Sequence, residues 1–226
     1  NLGVLSFNGH EWETHAFFTG KKQRSLAFDE TSNRLYVGSQ GEFGYFENNW
    51  NYTSLLEKIP LEAPDFDEVW DVFIFDSLIY FCTFQGIYIY DGNTINVIQQ
   101  EDDFNRSFLA GSKLFTQSQT GQLFEIKDKV LSPLAQINQA NDILAGVIQN
   151  AEGYIFFYNS GIIEFSNLFG VTEALPELAN TLEGNFVNQV IQLSDSRIVI
   201  STQRAGLFLY NEQTNTIENI STKEGL

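Results

Sequence analysis

The chain of 226 residues contains no methionine, one cysteine, two histidines and four prolines. Each scarcity excludes something. A single cysteine, Cys82, rules out an intrachain disulfide, so an oxidising compartment is permitted but not signalled. Its setting, Tyr80-Phe81-Cys82-Thr83-Phe84, reads as a strand interior, where a thiol serves as a small inert hydrophobe. Cations are scarce: Lys and Arg number 12 against 29 Asp and Glu, a formal net charge of −17. A nucleic-acid partner is excluded on that ground, because a polyanion must be neutralised, and so is docking on an anionic membrane. The balance suits solubility and a neutral or cationic ligand. No apolar run approaches the roughly 18 residues of a membrane span, and no signal peptide is visible. Without methionine, even at position 1, the chain is expected to be a mature or excised piece of a longer protein.

Strand-forming residues are abundant. Hydrophobic residues make up 43% and aromatics 15%, with 21 Phe and 9 Tyr. Aromatic side chains suit pleated, half-buried surfaces. One unit recurs: an apolar strand, a short polar turn, a small residue, then an alternating strand ending near Asp, Glu or Asn. The turn and following strand appear as Gln85-Gly86-Ile87-Tyr88-Ile89-Tyr90-Asp91. They return around Gly121, Gly161 and Gly206, open the chain at Gly3-Val4-Leu5-Ser6-Phe7, and have a variant at Glu42-Phe43-Gly44-Tyr45-Phe46.

The spacing of these anchors averages about 40 residues, the period of propeller blades. Helical repeats would show a 3.6-residue period, whereas these segments alternate or run apolar for 5–7 residues between turns. Each unit divides into four strands. The first is apolar, as in Ser25-Leu26-Ala27-Phe28, and a tight turn follows, as at Asp76-Ser77 or Ser194-Asp195-Ser196. The fourth is the most polar, as in Thr216-Ile217-Glu218-Asn219-Ile220. The expected fold is an all-β, β-propeller architecture of four-stranded antiparallel blades, with the innermost strands the most apolar. The units run over 1–20 (a half unit), 21–62, 63–101, 102–137, 138–182 and 183–226, in one propeller region. Five are complete, so the array is expected to be part of a larger propeller.

Enzyme signatures are missing. There is no Gly-x-Ser-x-Gly elbow, P-loop, His-Glu-x-x-His or Cys-x-x-Cys. His10 and His15 fall in the first unit, on an outer strand or its turn, and read as solvated surface groups. Acidic runs such as Asp65-Phe66-Asp67-Glu68 and Glu101-Asp102-Asp103 read as solvated loops. No catalytic residue, metal site or cofactor is assigned. Asn51, Asn105 and Asn219 open glycosylation triplets that an Asn- and Ser-rich chain produces by chance.

Propeller ligands bind at the mouth, on loops entering the first strand and on turns between the second and third. Aligned units place Arg24, Asp71, Arg106, Ala145 and Gln189 at the first of these positions, with Trp70 beside Asp71. Gln40, Gln85, Gln119, Asn159 and Arg204 fall at the second. The candidate ligand-binding set is therefore Arg24, Gln40, Trp70, Asp71, Gln85, Arg106, Gln119, Gln189 and Arg204. Amides and guanidinium groups hydrogen-bond hydroxyls and an indole stacks on a pyranose, so a sugar or an oligosaccharide acid fits. The bland alternative is that these residues satisfy turn backbone.

Arg24-Ser25-Leu26-Ala27-Phe28-Asp29, then Leu35-Tyr36-Val37-Gly38-Ser39-Gln40-Gly41-Glu42-Phe43-Gly44-Tyr45-Phe46, resembles the first blades of the two-component-regulator propeller family. Val69-Trp70-Asp71-Val72-Phe73 and the closing Glu224-Gly225-Leu226 resemble it too. The likeness spans nearly the whole chain. It implies a periplasmic sensor region of a hybrid histidine kinase or a membrane-anchored transcription regulator, responding to oligosaccharides. The expected partners are a small-molecule or oligosaccharide ligand and, as one option, a second copy of the chain in a homodimer. Second strands depart from the family's Trp-x-Gly-Thr pattern: Val37-Gly38-Ser39 and Ile200-Ser201-Thr202 approximate it, while Phe81-Cys82-Thr83 and Phe157-Tyr158-Asn159 do not. The expected function is extracytoplasmic ligand sensing. A propeller enzyme acting on glycans, with Asp71 and Asp67 or Glu68 as its acids, is the alternative, as is a protein-interaction scaffold. Fold alone does not choose among them.

Overall fold

A computed structural model describes residues 3–15, 21–135, 142–167, 169–194 and 197–225. Among these, the strands form one two-stranded and five four-stranded antiparallel sheets. The half unit is β1 (Val4–Phe7) with β2 (Trp12–His15). Blade 1 is β3 (Gln23–Asp29), β4 (Arg34–Ser39), β5 (Glu42–Phe46) and β6 (Tyr52–Ser54). Blade 2 is β7 (Asp71–Phe75), β8 (Leu78–Cys82), β9 (Ile87–Tyr90) and β10 (Ile95–Ile98). Blade 3 is β11 (Phe104–Ala110), β12 (Lys113–Ser118), β13 (Leu123–Lys127) and β14 (Val130–Pro133). Blade 4 is β15 (Leu144–Gln149), β16 (Tyr154–Tyr158), β17 (Ile163–Asn167) and β18 (Gly170–Glu173). Blade 5 is β19 (Val187–Gln192), β20 (Arg197–Thr202), β21 (Leu207–Asn211) and β22 (Thr216–Ile220). Within each sheet, strands adjacent in sequence are adjacent in space, the meander that the four-strand repeat predicts. Asp195, Ser196 and Leu226 lie outside the described residues.

The chain divides into two compact units, Asn1–Ser107 with Asp128–Val130, and Phe108–Lys127 with Leu131–Leu226. In the first, the core is aromatic: Tyr36, Phe43, Tyr45, Phe81, Tyr88 and Tyr90 cluster around Val69 and Val72, with the Phe43 and Phe81 rings stacked at 4.3 Å. Offset aromatic pairs add to the area they bury. In the second, Phe115, Phe156 and Tyr158 form one cluster. Ile148, Phe157, Val190, Ile200 and Phe208 form another.

Burial follows the expected gradient in blade 4, where first strand β15 is buried at all but its last position. In blades 1 and 2 the third strands are the deepest: β5 and β9 are buried at every position. First strand β3 instead leaves Leu26 50% and Phe28 54% exposed. The reason is cover: β5 and β9 have a hydrogen-bonded neighbour on each side, while β3 is an edge strand whose alternate residues face solvent.

The anchor glycine has a steric cause at Gly206. Its φ is +80°, and a Cβ there would run into the carbonyl oxygen of Ile220 on the adjoining fourth strand. A hydroxyl at the end of the second strand closes the same turn. Thr83 Oγ1 donates to the Gly86 carbonyl at 2.7 Å and accepts its amide at 2.9 Å. Thr202 Oγ1 donates to Gly206 at 2.9 Å and accepts from Ala205 at 3.0 Å. Thr83 thus does what Thr202 does, although its strand departs from the expected pattern.

Two features were not expected. A helix, α1 (Pro176–Leu182), precedes blade 5 and buries Leu178 and Leu182. Proline at its start and a buried i, i+4 leucine pair are ordinary helix signals; seven residues are too few for a clear period. His15 is also no solvated surface group. Its ring stacks on Trp50 at 3.5 Å and its Nε2 lies 2.8 Å from Ser6 Oγ.

Candidate ligand site

The turns at one end of the blades are clamped by backbone. In the first unit, Val69 N donates to Ser39 O at 3.0 Å and Phe104 N to Phe84 O at 2.7 Å. In the second, Val187 N donates to Asn159 O at 3.0 Å. Each bond runs from the segment entering one blade to the second-to-third turn of the preceding blade. Six of the nine expected residues, Arg24, Gln40, Trp70, Asp71, Gln85 and Arg106, belong to the first unit. Gln119, Gln189 and Arg204 belong to the second.

Four of the six fall into two pairs, Arg24 with Trp70 and Asp71 with Arg106. Arg24 sits at a β-bulge, where the register of β3 with β4 shifts between Gln23 and Ser25, and bulges re-aim side chains. Its Nε donates to Glu68 Oε2 at 2.9 Å and its Nη2 to Glu68 Oε1 at 3.0 Å. The guanidinium lies 4.7 Å from the centre of the Trp70 ring, and Phe84 stacks on that ring at 5.2 Å. Successive strand residues point to opposite faces. Asp71 therefore turns away from Trp70, and its Oδ1 meets Arg106 Nη2 at 3.6 Å. Burial pushes the Asp71 carboxyl above the ordinary range; Arg106 and the Ser107 amide oppose it. Gln40 is exposed and tied by backbone, through a bridge to Glu68 and a 3.1 Å bond to Lys22 O. Gln85 is half-buried in the turn after Phe84.

Trp70 is not the open platform expected for a pyranose, because Arg24 and Phe84 both pack on it. Glu68 and Phe84 were not among the expected ligand residues. Glu68 is spaced two residues from Trp70, on the same face of an extended segment, and that alternation was the available signal. The nominated acid pair is also divided: Glu68 is held by Arg24 and Asp71 by Arg106.

In the second unit, Arg204 lies 5.1 Å from the centre of the Phe186 ring and donates to Gly184 O at 3.3 Å. Gln203 Nε2 donates to Asn188 Oδ1 at 3.2 Å. The register of β19 with β20 shifts between Val187 and Gln189. Asn188, not Gln189, is therefore the counterpart of Arg24; unaligned bulges shifted the expected position by one. Ala145 sits at the matching bulge of β15 and is buried. Gln119 is exposed on the β12–β13 turn. Asn219 spends its amide on the carbonyls of Ala205 and Leu207.

Cys82 is fully enclosed, and burial raises its thiol pKa far above the ordinary value. Among the described residues, no three His, Cys, Asp or Glu side chains converge as a metal site would require, and no helix is long and apolar enough to cross a membrane.

No protein-family model matches the chain, and no curated protein sequence matches it. Its fold does recur among solved structures. The chain is similar to the WD40 β-propeller domain of Doa1, with a TM-score of 0.65 and 13% identity over 96% of this chain and 74% of that one. It is similar to the extracellular domain of BT4673 from B. thetaiotaomicron, with a TM-score of 0.70 and 12% identity over 99% of this chain and 31% of that one. A third is the extracellular domain of the hybrid two component system BT3049 from the same organism, with a TM-score of 0.68 and 17% identity over 92% and 29%. The chain spans about a third of the length of those two extracellular domains. At these identities the likeness establishes the fold, which is that of a β-propeller.

Proposed function

We propose that this chain is a ligand-sensing propeller region of an extracytoplasmic signalling receptor, binding an oligosaccharide or another small polar molecule without transforming it. The observation that carries the reading is the group of Arg24, Glu68, Trp70 and Phe84, polar and aromatic side chains on clamped turns, with the Asp71–Arg106 pair on the other face of the strand. Rigid backbone presenting such groups is what a binding site needs. Two of the similar structures are extracellular domains of signalling systems from one bacterium. Glu68 and Asp71, each held by its own arginine, are poorly placed to act as an acid/base pair. Sensing then means that ligand binding favours one arrangement of two receptor chains over another, through differential affinity.

Calorimetry and thermal shift against a panel of oligosaccharides test this. Saturable binding without turnover is expected, weakened in Trp70→Ala. Turnover of any panel sugar overturns the non-catalytic reading; silence across the panel overturns the sensing reading.

A second reading, contact with another protein, is favoured by the exposed apolar side chains Leu5, Phe7, Trp12, Leu26 and Phe28. On that reading the protein self-associates in light scattering, and serine at Phe7 and Phe28 abolishes the association.

A further inference from the structure

The second compact unit holds a cleft that none of the expected ligand residues lines. Its volume is about 480 Å³, within the roughly 300–1,000 Å³ of small-molecule sites. Its apolar wall is Ile162 and Ile163 where β17 begins, Ala174 after β18, and Pro176 and Ala179 of α1; its polar lining is Glu173 and Asn180. The local sequence builds this space. Ala174 N donates to Ile163 O at 2.9 Å and carries the β17–β18 ladder one residue past the strand. Leu175 then turns the chain at φ +48°, and Pro176 opens the helix. Leu178 and Leu182 hold α1 on the core, while the small side chains of Ala174 and Ala179 leave the room beside it unfilled.

The charge around the cleft has one sign. From Val130 to Ser196 the sequence has no Lys, Arg or His, against seven Asp and Glu. Glu173 is exposed, and no cation among the described residues pairs with it. We propose that this cleft binds a small organic amine, with the ammonium at Glu173 and Asn180 and the apolar body against Ile162, Ile163 and Ala179. An exposed carboxylate alone holds a cation weakly. A cleft with walls of low dielectric and one sign of charge strengthens that attraction, and the apolar body adds burial that a bare ion lacks. A primary ammonium has three donors to share between the carboxylate and the amide oxygen. Among the described residues no aromatic ring lines the cleft, so a quaternary ammonium lacks the faces that recognise it. The site lies in the second unit and is separate from the Trp70 group, which belongs to the first.

The test is calorimetry of the whole chain with 4-phenylbutylamine, 4-phenylbutanol and 4-phenylbutyrate, which share one apolar body and differ in charge. The amine is expected to bind saturably and at least about tenfold more tightly than the alcohol, the scale of one charge-assisted hydrogen bond, with the acid weakest. Glu173→Gln is expected to lower the amine's affinity about tenfold, to the level of the alcohol, and to leave the alcohol's affinity and the melting temperature unchanged. Glu152→Gln removes the same charge from the β15–β16 turn, at the other end of blade 4, and is expected to leave all three affinities as they were. That control separates a built site from attraction to an acidic surface. Equal binding of amine and alcohol, equal losses in the two glutamine variants, or binding of none of the three overturns the inference and leaves the sensing reading standing.

Discussion

Arg24 grips both oxygens of Glu68, at 2.9 and 3.0 Å, while its guanidinium plane lies 4.7 Å from the centre of the Trp70 ring. One side chain from the bulge of β3 thus joins blade 1 to the segment that enters blade 2. The fork geometry is one that lysine cannot reproduce. The pair is partly exposed, so its worth is modest: about 0.5–1 kcal/mol for the ion pair and a similar amount for the cation–π contact. Arg24→Ala is expected to lower unfolding free energy by about 1 kcal/mol, and Arg24→Lys by nearly as much, measured in urea. A fully stabilising lysine contradicts the fork.

Two glycines with positive φ separate backbone strain from steric contact. Gly92 has φ +98° and open space where a Cβ would go. Gly206 has φ +80° and the Ile220 carbonyl in that place. Alanine at Gly92 is expected to cost about 1 kcal/mol, the left-handed penalty alone. Alanine at Gly206 is expected to cost more than about 2 kcal/mol, since the fourth strand must also shift. Chemical denaturation of the two variants gives the difference directly.

Cys82 offers a probe of global opening. It is buried, and its thiol is held in the neutral form far above the usual range. Ellman's reagent at pH 8 is expected to leave the folded protein unlabelled and to react fully in denaturant. Labelling in the native state faster than unfolding contradicts the assigned burial.

Acid should act through the turn at Asp91. Its carboxylate accepts the amides of Thr94 and Asn93 and the Thr94 hydroxyl, and these bonds lower its pKa from 3.8 to about 2. A depressed folded pKa favours the charged form in the folded state. The stabilisation is therefore complete above about pH 4 and is lost as pH falls towards 2. Asp91→Ala is expected to flatten the pH dependence of stability in that window and to leave its shape near pH 7 unchanged.

The blade pattern was legible because strand alternation and turn residues are local: Gly86, Gly121, Gly161 and Gly206 announce the same turn. What escaped depended on neighbours distant in sequence. Burial in β5 and β9 exceeds that of first strand β3 because of where those strands sit, not what they contain. Bulges at Arg24, Ala145 and Asn188 change register without any composition signal, so Gln189 was expected one place too late. That Arg24 and Trp70 would pack on each other, and that Glu68 and Phe84 would join them, follows only from the fold.

The most direct test is to follow the indole Nε1–H signals of Trp12, Trp50 and Trp70 by NMR while a binding oligosaccharide is added, with Trp70→Phe supplying the assignment. Binding at the cluster predicts that the Trp70 signal moves and saturates while those of Trp12 and Trp50 stay in place. Movement of Trp12 or Trp50 with Trp70 unchanged would place the ligand elsewhere and contradict the account.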